Sequence, residues 1–255
     1  MISRNLPRRK PLAPSFALFL SLFLLGSSSV RADTTSDSAW TPPPLTQRPH
    51  TVAVIETGVI VLPTAPISSA QRGGSTPFGT IGKGDATIQA GLRLLYRIGP
   101  RWGIGAGALV APHPTTDGHF GGATGLSRTH SRSYLSMVGE VRYYPLVLKW
   151  FEAWVGAGAG AIILADRFST NSAADVPTVL GSKTTTIRSE GVALSGGLGF
   201  DWTITDRWVL GVVSRYDRWI LPKTPRCSAI LDCATLHGGI DAIEFGITVG
   251  YRIPL

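Results

Sequence analysis

The C-terminal stretch FGITVGYRIPL, residues 245–255, decides the fold. Its odd positions, from Phe245 to Leu255, are apolar or aromatic, whereas its even positions are glycine, threonine, arginine or proline. Because successive side chains of a strand point to opposite faces, this alternation predicts a strand with one apolar and one polar face. The stretch is also long enough to cross a membrane as a tilted strand, which takes roughly 9–11 residues.

The same alternation recurs in seven earlier segments, so the sequence predicts eight strands. They cover residues 51–62, 85–98, 102–111, 132–144, 150–164, 188–204, 208–221 and the segment that begins near Asp241. Short connections (99–101, 145–149 and 205–207) alternate with long ones (63–84, 112–131, 165–187 and 222–240). An even strand number with this alternation is typical of transmembrane barrels. We therefore predict an all-β fold, an eight-stranded antiparallel up-and-down transmembrane β-barrel with both termini in the periplasm.

The closing strand resembles the last strand of bacterial outer-membrane β-barrels, whose aromatic-x-hydrophobic ending is recognised by the barrel assembly machinery. Such strands most often end in Phe, and here Pro254 and Leu255 stand at the end. From about Thr51 the chain resembles the family of small outer-membrane β-barrels of the OmpA type. The resemblance implies a location in the outer membrane of a Gram-negative envelope and contact with its lipids. Because the sequence ends with the eighth strand, we expect no peptidoglycan-binding domain.

The N-terminus has the pattern of an export signal. Basic residues at 8–10 precede an apolar run at 16–25, and Val30-Arg31-Ala32 is typical of a cleavage site. The apolar run is too short for a spanning helix, which takes about 20 residues. We predict a cleaved signal peptide at 1–32, a Pro-rich periplasmic leader at 33–50 and the barrel at 51–255.

The net charge of +8 depends mostly on the predicted signal peptide. Five basic residues lie within positions 1–32, which leaves 19 basic and 16 acidic residues and a net charge of about +3 in the remainder. No block of Lys and Arg remains that would bind nucleic acid. The sequence therefore excludes nucleic acid as an expected partner.

Two sets of residues follow from the predicted faces. The polar face should line the lumen with a network of ion pairs, formed by Glu56, Asp85, Arg93, Arg97, Glu140, Arg142, Glu152, Asp201, Arg215, Asp217 and Arg252. The apolar face should carry an aromatic girdle near the short turns, formed by Tyr96, Trp102, Tyr143, Phe151, Trp202, Trp208 and Tyr251. An eight-stranded barrel is just wide enough to be filled by its interior side chains, so we expect a plugged lumen.

Cysteines and histidines offer little chemistry. Cys227 and Cys233 lie close together in an exported chain, which predicts a local disulfide. His113, His119, His130 and His237 fall in predicted outer loops, where solvated side chains are expected. We expect no metal and no cofactor.

The function is open at this stage. The first hypothesis is a monomeric, non-enzymatic barrel with an envelope-structural role or an extracellular partner bound by its four long loops. The second is a narrow, porin-like pore for small solutes or ions. The third, a lipid A-modifying enzyme, lacks support because His130 is adjacent to Ser131, and adjacent side chains of a strand point to opposite faces.

Overall fold

The computed structural model describes residues 48–63, 85–111, 115–121, 127–170, 184–228 and 233–254. These ranges contain nine strands: β1 (His50–Leu62), β2 (Asp85–Arg97), β3 (Trp102–Val110), β4 (Thr115–Gly121), β5 (Ser127–Val147), β6 (Phe151–Thr170), β7 (Thr184–Thr203), β8 (Trp208–Ile220) and β9 (Gly239–Pro254). No helix in this part of the chain is long and apolar enough to cross a membrane. The predicted signal peptide at 1–32 and most of the predicted leader lie outside the described residues.

All neighbouring strands pair antiparallel and the sheet closes on itself. The order is β3-β2-β1-β9-β8-β7-β6-β5-β4, and a further pairing joins β3 to β5. β3 pairs with β5 at residues 135–143 and β4 pairs with it at 127–132, so β3 and β4 occupy one position in the wall. The nine strands therefore fill eight positions, and the prediction of an eight-stranded antiparallel barrel is confirmed.

Three strands are longer than predicted. β5 begins at Ser127, β6 continues to Thr170 and β7 begins at Thr184, so the predicted loops 112–131 and 165–187 are wrong in extent. Much of the first loop is instead a hairpin of β4 and β5. The polar residues there obscure the alternation, but the strands persist because the neighbouring strands satisfy their backbone hydrogen-bonding groups.

The two faces of the wall are chemically distinct. Outward positions carry exposed apolar side chains, among them Ile55, Leu92 and Phe245, whose exposed fractions are 62%, 64% and 57%. Inward positions are buried and carry most of the charges, with Glu56 at 0% and Arg215 at 3%. We call the end with the short turns 98–101, 148–150 and 204–207 the short-turn end, and the opposite end the long-loop end.

Candidate functional site

The lumen near the short-turn end contains a network of ion pairs centred on Glu152, here called the lower network. Arg97 on β2 donates from one guanidinium nitrogen to both carboxylate oxygens of Glu152, at 3.3 Å each. Arg252 on β9 donates to Glu152 at 3.1 Å and to the Thr203 hydroxyl at 3.1 Å. The Arg97 guanidinium also lies 3.5 Å from the centre of the Tyr144 ring. Because Arg97 and Arg252 share the Glu152 carboxylate, this network links β2, β6 and β9.

A central network lies further along the lumen and is built on Glu56. Arg93 donates to Glu56 at 2.9 Å, and Arg215 donates to both Glu56 carboxylate oxygens, one of them at 2.9 Å. Arg93 also approaches Glu140 at 3.5 Å, and Glu140 accepts from Arg142 at 2.8 Å. Since a buried charge is stable only when it is paired and hydrogen-bonded, these contacts account for the burial of Glu56.

Four further acidic residues remain: three that were predicted to line the lumen and one that was not. Asp201 is half-buried and Asp217 is buried, and neither forms an ion pair within the described residues. Only the backbone of Asp85, opposite Leu62, is described. Glu244 lies 3.5 Å from Arg215 and is absent from the predicted set. Its even number places it on the same face as Arg252, so the alternation in β9 contained the signal.

The lumen near the long-loop end is apolar, which differs from the all-polar interior expected from the sequence. Tyr134 and Trp219 lie at its centre with ring centroids 5.5 Å apart. The cluster consists of Ile60, Leu62, Ala111, Tyr134, Val138, Ile162, Leu164, Ala193, Trp219, Leu221, Leu236, Ile240 and Ala242. These residues pack across the barrel, so the interior is filled by a polar half and an apolar half.

Above the apolar half, Asp166 on β6 joins three parts of the chain. Its Oδ1 accepts hydrogen bonds from Nε2 of His130 at 2.7 Å and from the Thr235 hydroxyl at 2.6 Å, and its Oδ2 accepts from the Thr235 backbone N–H at 3.0 Å. His130 is fully buried on β5 and packs against Phe168. The expectation of a solvated loop histidine is therefore wrong for His130, because β5 extends beyond the predicted strand.

Thr235 belongs to a segment that packs at the long-loop end of the lumen, residues 233–238, here called the cap. Ala234 and Leu236 are buried beside it. Gly238 has a φ of 73°, a backbone conformation that favours glycine, and its N–H donates to the Pro222 carbonyl at 3.0 Å. A disulfide joins Cys227 to Cys233 at the start of the cap, and this prediction is confirmed.

Aromatic side chains predicted to form a girdle lie at the short-turn end, on the outward face. Trp102 lies directly opposite Tyr143, Phe151 opposite Trp202 and Trp208 opposite Tyr251. Their ring centroids are 4.9, 5.6 and 5.0 Å apart, respectively. Tyr96, the seventh predicted residue, is 40% exposed on β2. The outward face thus has an aromatic band at the short-turn end, next to its aliphatic part.

The described residues contain no group of three or more His, Cys, Asp or Glu side chains that could hold a metal ion. The side chains of His113 and His119 lie outside the described residues, and His237 is half-buried at the long-loop end. His130 is fully buried, whereas its neighbour Ser131 is half-buried on the opposite face of β5. The two side chains therefore do not form a nucleophile–base pair.

Comparison with known proteins finds similar solved structures but no matching family. No protein-family model matches the sequence, and no curated protein does. Among solved structures, Neisserial surface protein A is 10% identical with a TM-score of 0.48, over 79% of this chain and 96% of that one. OprG, an outer-membrane protein of Pseudomonas aeruginosa, is 18% identical with a TM-score of 0.48, over 82% and 99%. On its own strand order and closure, this chain has the fold of a small eight-stranded outer-membrane β-barrel.

Proposed function

We propose that the protein is a closed, non-enzymatic β-barrel of the bacterial outer membrane that acts through the connections at its long-loop end. The observation that carries this proposal is the apolar outward face. Large apolar side chains are exposed on every strand position of the wall, from Ile55 and Leu92 to Ile247. Soluble monomers rarely expose contiguous apolar patches larger than a few hundred Å². A belt that surrounds the barrel therefore favours a hydrocarbon environment.

The aromatic pairs support an orientation in the membrane. Trp and Tyr side chains prefer the membrane–water interface, and the pairs around Trp102, Phe151 and Trp208 all lie next to the short turns. Outer-membrane barrels have short periplasmic turns and longer extracellular loops. The short-turn end, where β1 begins at His50 and β9 ends at Pro254, therefore faces the periplasm in this proposal, and the long-loop end faces the outside.

A filled lumen favours a closed barrel over a pore. The two ionic networks cross the polar half, and the Tyr134–Trp219 cluster crosses the apolar half. The cavity between Arg97, Tyr144 and Asp201 has a volume of about 20 Å³. A cavity measured in this way needs roughly 10–15 Å³ to hold one water molecule, so this space fits about one water. A solute larger than water therefore does not fit in this cavity.

The long-loop end is the part of the molecule suited to contact a partner. Strands β5, β6 and β7 carry it beyond the apolar belt, and the disulfide and the cap give one connection a defined structure. Binding surfaces are commonly loops held on a rigid scaffold. The protein acts as a monomer inserted by the barrel assembly machinery, and its role is envelope support or contact with an extracellular partner.

Two measurements test the proposal. Unboiled protein in detergent should migrate faster on an SDS gel than boiled protein, because a closed barrel resists SDS. Reconstituted protein in a planar bilayer should be electrically silent under conditions in which a general porin conducts. The absence of a migration shift would overturn membrane insertion, whereas discrete conductance steps would overturn the closed lumen and favour the narrow pore.

A separate measurement addresses enzymatic activity. Lipid A from cells that produce the protein should have the same mass spectrum as lipid A from cells that lack it. A new or missing acyl chain or phosphate would contradict a non-enzymatic role.

A further inference from the structure

Two arginines project outward from the barrel wall at the long-loop end. Arg167 lies on β6 and Arg188 on β7, and both side chains are exposed. Arg167 is directly opposite Thr186, and Arg188 is directly opposite Ala165, so the two arginines are diagonal neighbours on one face. Such neighbours lie about 7–8 Å apart, within reach of long side chains. We call Arg167 and Arg188 the rim arginines.

The rim arginines lie above the apolar belt. Val192, which is 49% exposed, is four residues from Arg188 along β7, and Ile163 is four residues from Arg167 along β6. Four residues of a strand span about 13 Å, and the strand tilt in a barrel lowers the vertical distance. Headgroup layers lie directly outside the hydrocarbon core, and long arginine side chains extend along an apolar surface toward a polar layer. The guanidinium groups therefore reach the headgroup level.

Among the described residues, neither rim arginine has an acidic partner. Within the described residues, no carboxylate lies within ion-pair distance of Arg167 or Arg188, although Glu190 is exposed on the same face of β7. Arg218 on β8 differs, because it donates to Asp241 at 2.5 Å. An open depression of about 550 Å³ adjoins Arg188 and is also lined by Thr186 and Arg226. The surface therefore offers guanidinium groups that no carboxylate of the described residues neutralises.

We propose that the rim arginines bind phosphate groups of the lipid in the surrounding outer leaflet. A guanidinium donates two parallel hydrogen bonds to a phosphate, which makes arginine well suited to this ligand. Membrane lipid is the source that the geometry favours, because both side chains project sideways from the wall above the apolar belt. The inference rests on the proposed membrane insertion with the long-loop end outside.

The test uses the full chain folded in detergent and follows the temperature at which the fast-migrating band is lost. The probes are diphosphoryl lipid A, dephosphorylated lipid A and inorganic phosphate. Diphosphoryl lipid A should raise this temperature by about 5 °C more than dephosphorylated lipid A, since a ligand that binds only the folded state stabilises it. The variant R167Q/R188Q should lose this difference, while R218Q/K223Q, which also removes two positive charges at the long-loop end, should keep it.

The outcomes separate the two proposals. A wild-type protein without a fast-migrating band overturns membrane insertion itself. A folded protein whose R167Q/R188Q variant keeps the full phosphate-dependent difference overturns the lipid site, as does an equal loss in R218Q/K223Q. An equal rise with inorganic phosphate alone also overturns it, because the ligand would then be a soluble anion. The variant R167K/R188K keeps both charges and should retain part of the difference, which excludes a folding defect as the cause.

Discussion

The carboxylate of Glu56 shows how single side chains hold the lumen closed. It is fully buried and accepts hydrogen bonds from two arginines, of which Arg215 lies 159 positions further along the chain. Removal of one member of a buried ionic group leaves an uncompensated charge, which costs far more than the loss of an exposed pair. The central network should therefore contribute to stability only as a complete set.

The variant Arg215→Met tests this dependence. We expect it to lower the free energy of unfolding by about 3–5 kcal/mol, because Glu56 and Glu244 lose a buried partner. Arg218→Met is the matched control, since its partnership with Asp241 is partly exposed and should contribute at most about 1 kcal/mol. Urea-induced unfolding from lipid vesicles measures both values. Equal losses in the two variants would contradict a special role for the buried network.

Strand packing depends on glycine where two backbones approach closely. A Cβ on Gly160 of β6 would lie 2.7 Å from the Cα of Val138 and 2.8 Å from the backbone carbon of Met137, which is closer than real Cβ contacts. A Cβ on Gly196 of β7 would meet no atom within 4 Å. The difference separates a glycine required by the wall from one that is not.

Alanine substitution should therefore impair folding at Gly160 but not at Gly196. Gly160→Ala forces β5 and β6 apart and should reduce the yield of fast-migrating, folded protein after refolding into detergent. Gly196→Ala should refold like the wild type. Unchanged folded yield and stability of Gly160→Ala would show instead that β5 and β6 can separate enough to accept the added Cβ.

The cap is the clearest example of a connection that folds into the barrel. Thr235 supplies both its hydroxyl and its backbone N–H to Asp166, and the disulfide lies next to it in the chain. Thr235→Val removes the hydroxyl donor and should cost about 1–3 kcal/mol, because Asp166 stays buried with one donor fewer. Hydrogen exchange of residues 233–238 should become faster. The control Thr224→Val changes an exposed residue of the same connection and should leave exchange unchanged.

For the whole molecule, the proposed orientation makes a prediction about lysines. Lys149 lies in a short turn and Lys223 in a long connection, and both are exposed. A membrane-impermeant amine reagent added to intact cells should modify Lys223 and spare Lys149, while both should react after the outer membrane is opened. Mass spectrometry of the digested protein measures the modification. Labelling of Lys149 alone in intact cells would reverse the orientation.

The alternation of side chains allowed much of the fold to be predicted without coordinates. Odd and even positions of the final strand separate Phe245 from Arg252, and the same rule assigned Glu56, Arg93 and Glu152 to the inward face where the structure places them. The rule failed where polar residues occupy both faces. For that reason the alternation places His130 and Asp166 in loops, although both are buried strand residues.

The local pattern of this sequence was enough to determine the number of strand positions in the wall, which side chains of each strand face the lumen, and the disulfide. These features depend on neighbours along the chain. The tertiary structure decided which charges meet, how far β5, β6 and β7 extend and where the cap docks. Those features depend on the register and closure of the sheet, which bring Thr235 to Asp166 across 69 positions. A two-residue period carries no information about that register, because every even shift of a strand preserves its faces.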